Sequence, residues 1–172
     1  IVFIFIICLL FITNTNAESI NLKFSKCIDG DTAEFIYNEE TIKVRMLAID
    51  TPETVHPTKG EEPFGKEASE YTCNKITNAK KIILEFDDNS EKVDKYDRYL
   101  GWIFVDDSLL QKKLIENGLA KVAYLYGNYK YTEELQKAEK IAQEKKLNDY
   151  SWIIFIVLSI IVLIPCIIKK EA

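Results

Sequence analysis

Between residues 20 and 50 apolar and polar positions alternate. "INLKFSKCI" and "TAEFIYN" do so regularly, and "ETIKVRMLAI" is rich in β-branched and apolar residues, so the pattern predicts three strands. Asp29-Gly30-Asp31 and Asn38-Glu39-Glu40 supply the turns. Residues 51–65, "TPETVHPTKGEEPFG", hold three prolines and two glycines and predict a loop without a regular element. Helical spacing follows in "KEASEYTCNKITNA", where Ala68, Tyr71 and Ile76 recur among polar residues. "KKIILEFD" and "YLGWIFVDD" predict two more strands around the charged turn "DNSEKVDKYDR". "SLLQKKLIENGLA" predicts a helix stopped by Gly118, and "YTEELQKAEKIAQEKKL" a second amphipathic helix. This order is α+β. Five such strands suit a small closed or partly open barrel with helices packed outside.

The two ends break the pattern. Residues 1–12, "IVFIFIICLLFI", are too short to span a bilayer comfortably, and "TNTNA" follows with Thr15 and Ala17 at cleavage-site spacing. Residues 1–17 therefore read as a signal peptide that lacks its charged start; a buried strand or an uncleaved anchor are the alternatives. Residues 152–168, "WIIFIVLSIIVLIPCII", carry no charge and run straight into Lys169 and Lys170. As a helix they would reach about 26 Å, near the lower limit for a membrane span. Tyr150 and Trp152 at one end and the lysines at the other suit interfacial anchoring, with 169–172 as a short cytoplasmic tail. A buried core helix is the alternative, but such a helix should keep a polar face and this one has none. The expected layout is one exported domain, 18–151, held at a membrane with its C-terminus in the cytoplasm. "KKEA" would also match a dilysine retrieval signal of the endoplasmic reticulum in a eukaryotic host.

Removing Lys169, Lys170 and Glu171 from the chain totals of 22 basic and 27 acidic residues leaves 20 and 26. A net charge of −6 does not advertise a polyanion partner. Cys8 and Cys166 lie in the apolar ends, which leaves Cys27 and Cys73 able to pair in an oxidising compartment if the fold brings them together. No cysteine or histidine spacing resembles a zinc site.

The chemistry concentrates in "RMLAIDTPE", residues 45–53. "DTPE" has the form of a helix cap with proline in the first turn. Yet Pro57, Gly60, Pro63 and Gly65 allow no helix to follow, so the carboxylates of Asp50 and Glu53 need another use. "IDGDT", residues 28–32, adds Asp29 and Asp31, and an ordinary hairpin turn is its simplest reading. If these side chains converge at neighbouring strand ends, a hard cation such as Ca²⁺ would relieve their repulsion. Arginine usage sharpens this. Against twenty lysines there are two arginines, Arg45 and Arg98, one entering "DTPE" and one in "DKYDR". The planar guanidinium fork suits phosphate, so metal-assisted phosphodiester hydrolysis is one reading and two structural ion pairs are the other.

"IDGDT", "VRMLAIDTPETVHPTKG", "DKYDRYLGWIFVD" and "ENGLAKVAYLYGN" resemble, in order and spacing, the motifs of the staphylococcal nuclease (thermonuclease) family, over about residues 22–151. The resemblance implies an OB-type five-stranded β-barrel with three helices. It implies Ca²⁺ held by Asp31, Asp50 and the Thr51 carbonyl, and Glu53 as general base or orienter of the attacking water. Arg45 and Arg98 would bind the scissile phosphate, and Lys95, Tyr96 and Tyr124 the terminal phosphate and base of a bound nucleotide. Tyr126 is a weaker candidate for that pocket; His56 and Lys59 read as loop residues. The implied substrates are DNA and RNA, cleaved to 3′-phosphates, with single-stranded or locally open segments favoured.

Two departures stand out. The family turn Lys-Tyr-Gly-Arg is here Lys95-Tyr96-Asp97-Arg98, which places a negative charge beside the phosphate-binding arginine. The domain is acidic where the familiar secreted enzymes are basic, so nucleic-acid binding is expected to be weaker and strongly salt-dependent. A non-catalytic OB-type module that binds nucleic acid or protein is the alternative. Modules that have lost catalysis typically lose the carboxylates or arginines, and all are present here. A calcium-binding structural domain is a third reading, which leaves Glu53 and both arginines without a role.

Overall fold

The computed structural model describes residues 18–54 and 62–168, with 148–150, 154–155 and 157–168 as backbone alone. The expected signal peptide (1–17), the loop residues His56 and Lys59, and the expected tail (169–172) lie outside the described residues. The strands are β1 (Ser19–Cys27), β2 (Thr32–Tyr37), β3 (Glu40–Met46), β4 (Ile49–Asp50), β5 (Ile82–Glu85), β6 (Tyr99–Val105), β7 (Ser108–Leu109) and β8 (Lys121–Val122). The helices are α1 (Gly65–Thr77), α2 (Leu110–Glu116) and α3 (Thr132–Ile168).

The alternating strands close on themselves. β1 pairs antiparallel with β2 and with β5, β2 with β3, and β5 with β6. The parallel pairing of β3 with β6 completes a five-stranded barrel, with Arg45 opposite Leu100. Leu22, Phe35, Val44, Met46, Leu84 and Ile103 are buried in the core, and Trp102, on the other face of β6 from Ile103, is buried edge-on to Tyr129 and Tyr131. Leu110, Leu114 and Ile115 of α2 and Leu135 and Ala138 of α3 extend that core. The buried Gln111 of α2 donates to the Gly101 carbonyl at 3.0 Å and accepts from the Ile103 amide at 3.2 Å, so the polar side chain is matched to β6.

Turn chemistry follows the residues. Asn38 and Glu39 both take positive φ (50° and 68°) in the two-residue turn joining β2 to β3, and Asp106 and Asp107 (47° and 65°) do the same between β6 and β7. Gly118, at φ 69°, ends α2 as expected: its amide donates to the Ile115 carbonyl, and the Leu119 amide to that of Leu114.

Three boundaries differ from expectation. The strand "ETIKVRMLAI" ends at Met46, because Ala48 turns left-handed (φ 60°) and redirects the chain, so that Ile49–Asp50 pair with β8 outside the barrel. The helix expected from Ser108 starts at Leu110, since Ser108–Leu109 pair back onto β6. The last helix continues past residue 147 to Ile168, with no proline or glycine from 132 to 164 to stop it and Pro165 only in its final turn. Among the described residues no helix is long and apolar enough to cross a membrane. Of the apolar run, Trp152, Ile153 and Ile156 are exposed by 67%, 55% and 51%, so this part is not packed into the barrel core.

Candidate active site

Barrel closure gathers the scattered motifs. Asp31 immediately precedes β2, Arg45 lies near the end of β3 opposite Thr32, and Arg98 immediately precedes β6 beside β3. The turn at Ala48 brings Asp50 back over the same end. Asp31, Arg45, Asp50, Glu53, Lys95, Tyr96, Arg98, Tyr124 and Tyr126 all line one cleft of about 700 Å³. Thr51 adjoins it, its amide donating to Asp31 Oδ2 at 3.1 Å.

Asp31 is the buried centre of the cleft. Its Oδ2 meets Arg45 Nη1 at 2.8 Å, and its Oδ1 accepts from the Thr32 hydroxyl at 3.1 Å. Burial pushes this carboxyl up to about 7 from its ordinary 3.8, against the pull of Arg45 and with a further push from Asp29. Asp29 stiffens the turn, its Oδ1 accepting from the amides of Asp31 (3.0 Å) and Thr32 (2.7 Å). Arg45 is held from behind as well, donating to the carbonyls of Met46 (3.2 Å) and Ile49 (3.1 Å). Its guanidinium lies 3.9 Å from Asp50 Oδ1 and 5.7 Å from the centre of the Tyr124 ring.

Asp50 is half-buried and shared. The Lys121 ammonium stands 3.0 Å from Oδ2, and the Tyr124 hydroxyl donates to Oδ1 at 3.4 Å. The Asp50 charge, then burial, raises the Tyr124 hydroxyl above its ordinary 10, so it stays protonated and able to donate. Tyr124 itself has φ 56°, an unusual backbone for a bulky residue, which aims its ring into the cleft mouth. Glu53 is exposed. Its amide donates to Glu62 Oε2 at 3.2 Å and its carbonyl accepts from the Glu62 amide at 3.0 Å.

Arg98 is braced by Asp94, whose Oδ2 meets Nε at 2.8 Å and Nη2 at 2.7 Å. Asp94 Oδ1 accepts from the amides of Tyr96 and Arg98, at 2.9 and 3.0 Å. Asp97 occupies a left-handed position, φ 58°, where glycine is at ease. The exposed Tyr96 ring lies between Lys95 and Arg98, 5.0 Å from the ammonium and 5.3 Å from the guanidinium carbon. Tyr126, exposed by 84%, has its ring 6.3 Å from that of Tyr124.

The donor set fits a hard cation. It consists of oxygen atoms, and the buried Asp31 carboxylate is left short of positive charge by its single arginine. Among the described residues no three carboxylate, histidine or cysteine side chains form a ready metal cluster. An ion here would complete its shell with carbonyl and water oxygens, which Ca²⁺ accepts and zinc does not favour. Sequence reasoning missed Asp94, which holds Arg98, Lys121, which pairs with Asp50, and Thr72, whose hydroxyl donates to the Gly30 carbonyl; the i,i+4 spacing of Asp94 and Arg98 was the one available signal.

A closed five-stranded barrel with carboxylates and arginines gathered at one mouth defines an OB-type barrel. The chain belongs to the staphylococcal nuclease homologue family, whose model matches residues 43–152. The thermonuclease of Staphylococcus hyicus is 37% identical over 137 residues, covering 80% of this chain and 79% of that protein. Endonuclease YncB of Bacillus subtilis (strain 168) is 39% identical over 133 residues, 77% of this chain and 62% of its own. The SPbeta prophage-derived endonuclease YokF of the same strain is 38% identical over 135 residues; the match spans 78% of this chain but 45% of that relative.

Proposed function

We propose that this chain is a calcium-dependent nuclease that hydrolyses phosphodiester bonds of DNA and RNA to 3′-phosphates. The observation that carries the reading is the meeting of Asp31, Arg45, Asp50, Glu53 and Arg98 in one cleft, although they come from three separate stretches of sequence. Thermonuclease-type relatives at 37–38% identity over most of the chain support it.

Asp31, Asp50 and the Thr51 carbonyl would hold Ca²⁺, which when bound supplies positive charge to a phosphate oxygen. Arg45 and Arg98 bind the scissile phosphate and neutralise the charge that grows on it during in-line attack. Glu53 accepts a proton from the attacking water or orients it. Tyr96 and Tyr124 offer ring faces to a base, and Lys95 meets a terminal phosphate, contacts that tolerate either sugar.

The expected membrane anchor at 152–168 belongs to the same proposal, although no helix among the described residues meets the length and apolarity of a span. Its support is the helical backbone through 152–168, the exposure of Trp152, Ile153 and Ile156, and the lysines beyond. The catalytic domain then lies outside the cytoplasm or in a lumen, where a disulfide persists.

Substituting Glu53→Gln tests the chemistry. The turnover of single-stranded DNA should fall about 10²–10⁴-fold while Ca²⁺ affinity stays within twofold. Turnover that survives the change contradicts the assignment of Glu53.

A further inference from the structure

We infer that helix α1 is the positioning element of this site, and that the Cys27–Cys73 disulfide, acting through α1, sets the cation affinity of the Asp29–Thr32 loop. This role rests on the cation-and-phosphate reading of the same cleft. Neither Thr72 nor either cysteine lines the cleft.

α1 meets the site at three points. Gly65, its buried first residue, lies so close to the chain carrying Glu53 that a Cβ there would stand 2.5 Å from the Glu53 carbonyl oxygen. Two turns on, the fully buried Thr72 donates its hydroxyl to the Gly30 carbonyl at 2.6 Å. Gly30 is in turn pressed on Thr51, since a Cβ there would stand 2.7 Å from Thr51 Oγ1. Cys73, the next residue of α1, is bonded to Cys27, the last residue of β1, with a Cα–Cα separation of 5.6 Å.

The loop bearing Asp29 and Asp31 is thus fastened to one helix twice within four residues, covalently at Cys27 and by hydrogen bond at Gly30. Asp29 makes the loop stiff by accepting from the amides of Asp31 and Thr32, so a displacement at Cys27 or Gly30 is carried to the Asp31 carboxylate. The same helix backs Glu53. One element therefore fixes the spacing between the buried acid, the Thr51 backbone and the proposed base. A cation that takes oxygens from Asp31, Asp50 and Thr51 binds in proportion to how well that spacing is held beforehand.

The covalent tie can be opened. A dithiol reductant delivers two electrons and two protons to the S–S bond, giving two thiols on the protein and a disulfide on the reductant. The Thr72 hydrogen bond then holds the loop to α1 unaided. The cleft should reach full cation affinity in an oxidising compartment and remain weak in a thiol-rich one.

The test is a calorimetric Ca²⁺ titration of the full chain in detergent micelles, oxidised, reduced with dithiothreitol, and as the double variant Cys27→Ser/Cys73→Ser. Far-ultraviolet circular dichroism establishes that each form is folded. Reduction and the double variant should each weaken Ca²⁺ binding about tenfold and raise the KM for single-stranded DNA. Thr72→Val in the oxidised chain should weaken Ca²⁺ severalfold, and Thr72→Ser should restore it. Unchanged Ca²⁺ affinity in a folded reduced chain overturns the positioning role. If reduction unfolds the chain, unchanged Ca²⁺ affinity in oxidised, folded Thr72→Val overturns it instead. An oxidised chain that neither binds Ca²⁺ nor cleaves DNA contradicts the nuclease reading itself.

Discussion

Lys121 stands directly across from Asp50 in the β4–β8 pair, with its ammonium 3.0 Å from a carboxylate oxygen. A proposed cation ligand is therefore already neutralised by the protein's own cation, and Ca²⁺ has to compete with it. The lysine side chain is 69% exposed, so solvent screening keeps the pair weak. Lys121→Met should tighten Ca²⁺ about threefold in a calorimetric titration. Weaker binding would show that Lys121 orients Asp50 for the ion rather than competing with it.

Asp97 is held at φ 58° beside Arg98. An L-residue is disfavoured there, although aspartate tolerates the shape better than most, and part of what glycine gains is returned as unfolded-chain entropy. Asp97→Gly should stabilise the domain by roughly 0.5–1 kcal/mol in urea denaturation. It also removes a negative charge next to the proposed phosphate clamp, so the KM for single-stranded DNA should fall at low salt and converge with wild type at high salt.

Asp94 gives the turn a pH dependence. Burial works against its ionisation, but hydrogen bonds from the Arg98 side chain and from the Arg98 and Tyr96 amides outweigh it, and the carboxyl titrates below its ordinary 3.8. A carboxyl depressed in the folded state contributes stability above its unfolded pKa and loses it as pH falls through the folded value. Urea denaturation of the wild type should therefore lose stability as pH drops below about 4. Asp94→Asn should be less stable at neutral pH and flatter across that acid range. An identical acid slope in both chains would contradict the brace.

The contact between Gly65 and Glu53 is steric. Gly65→Ala places a methyl where the Glu53 carbonyl stands, so α1 or the 51–53 segment has to move. Turnover should fall more than Ca²⁺ affinity, because the displaced segment carries the proposed base but only one proposed cation ligand, the Thr51 carbonyl, while Asp31 and Asp50 lie outside it. A measurement of kcat beside a Ca²⁺ titration separates the two.

Hydrophobic alternation makes the strands legible in the sequence, because a closed barrel buries one face of each strand and leaves the other polar. Glycine at 118 marked its helix end for a local steric reason. What alternation could not show is a backbone reversal at an alanine: Ala48 carries no turn signature, yet its left-handed φ is what returns Asp50 to the barrel mouth. Residues proposed to touch substrate carry signals in their type, scarce arginine above all. Their supporting neighbours do not. Thr72 and Lys121 look like ordinary helix and strand residues, since their roles depend on contacts 42 residues away in Gly30 and across a two-residue strand pair. Cys27 and Cys73 could be named as partners in principle, but only the fold puts their Cα atoms 5.6 Å apart.

The central claim is tested most directly by incubating the purified full chain with 5′-labelled single-stranded DNA and RNA across a range of Ca²⁺ concentrations, with a chelator control. Fragments ending in 3′-phosphate should accumulate from both substrates, only when Ca²⁺ is present. A folded chain that cleaves neither substrate at any Ca²⁺ concentration would contradict the account.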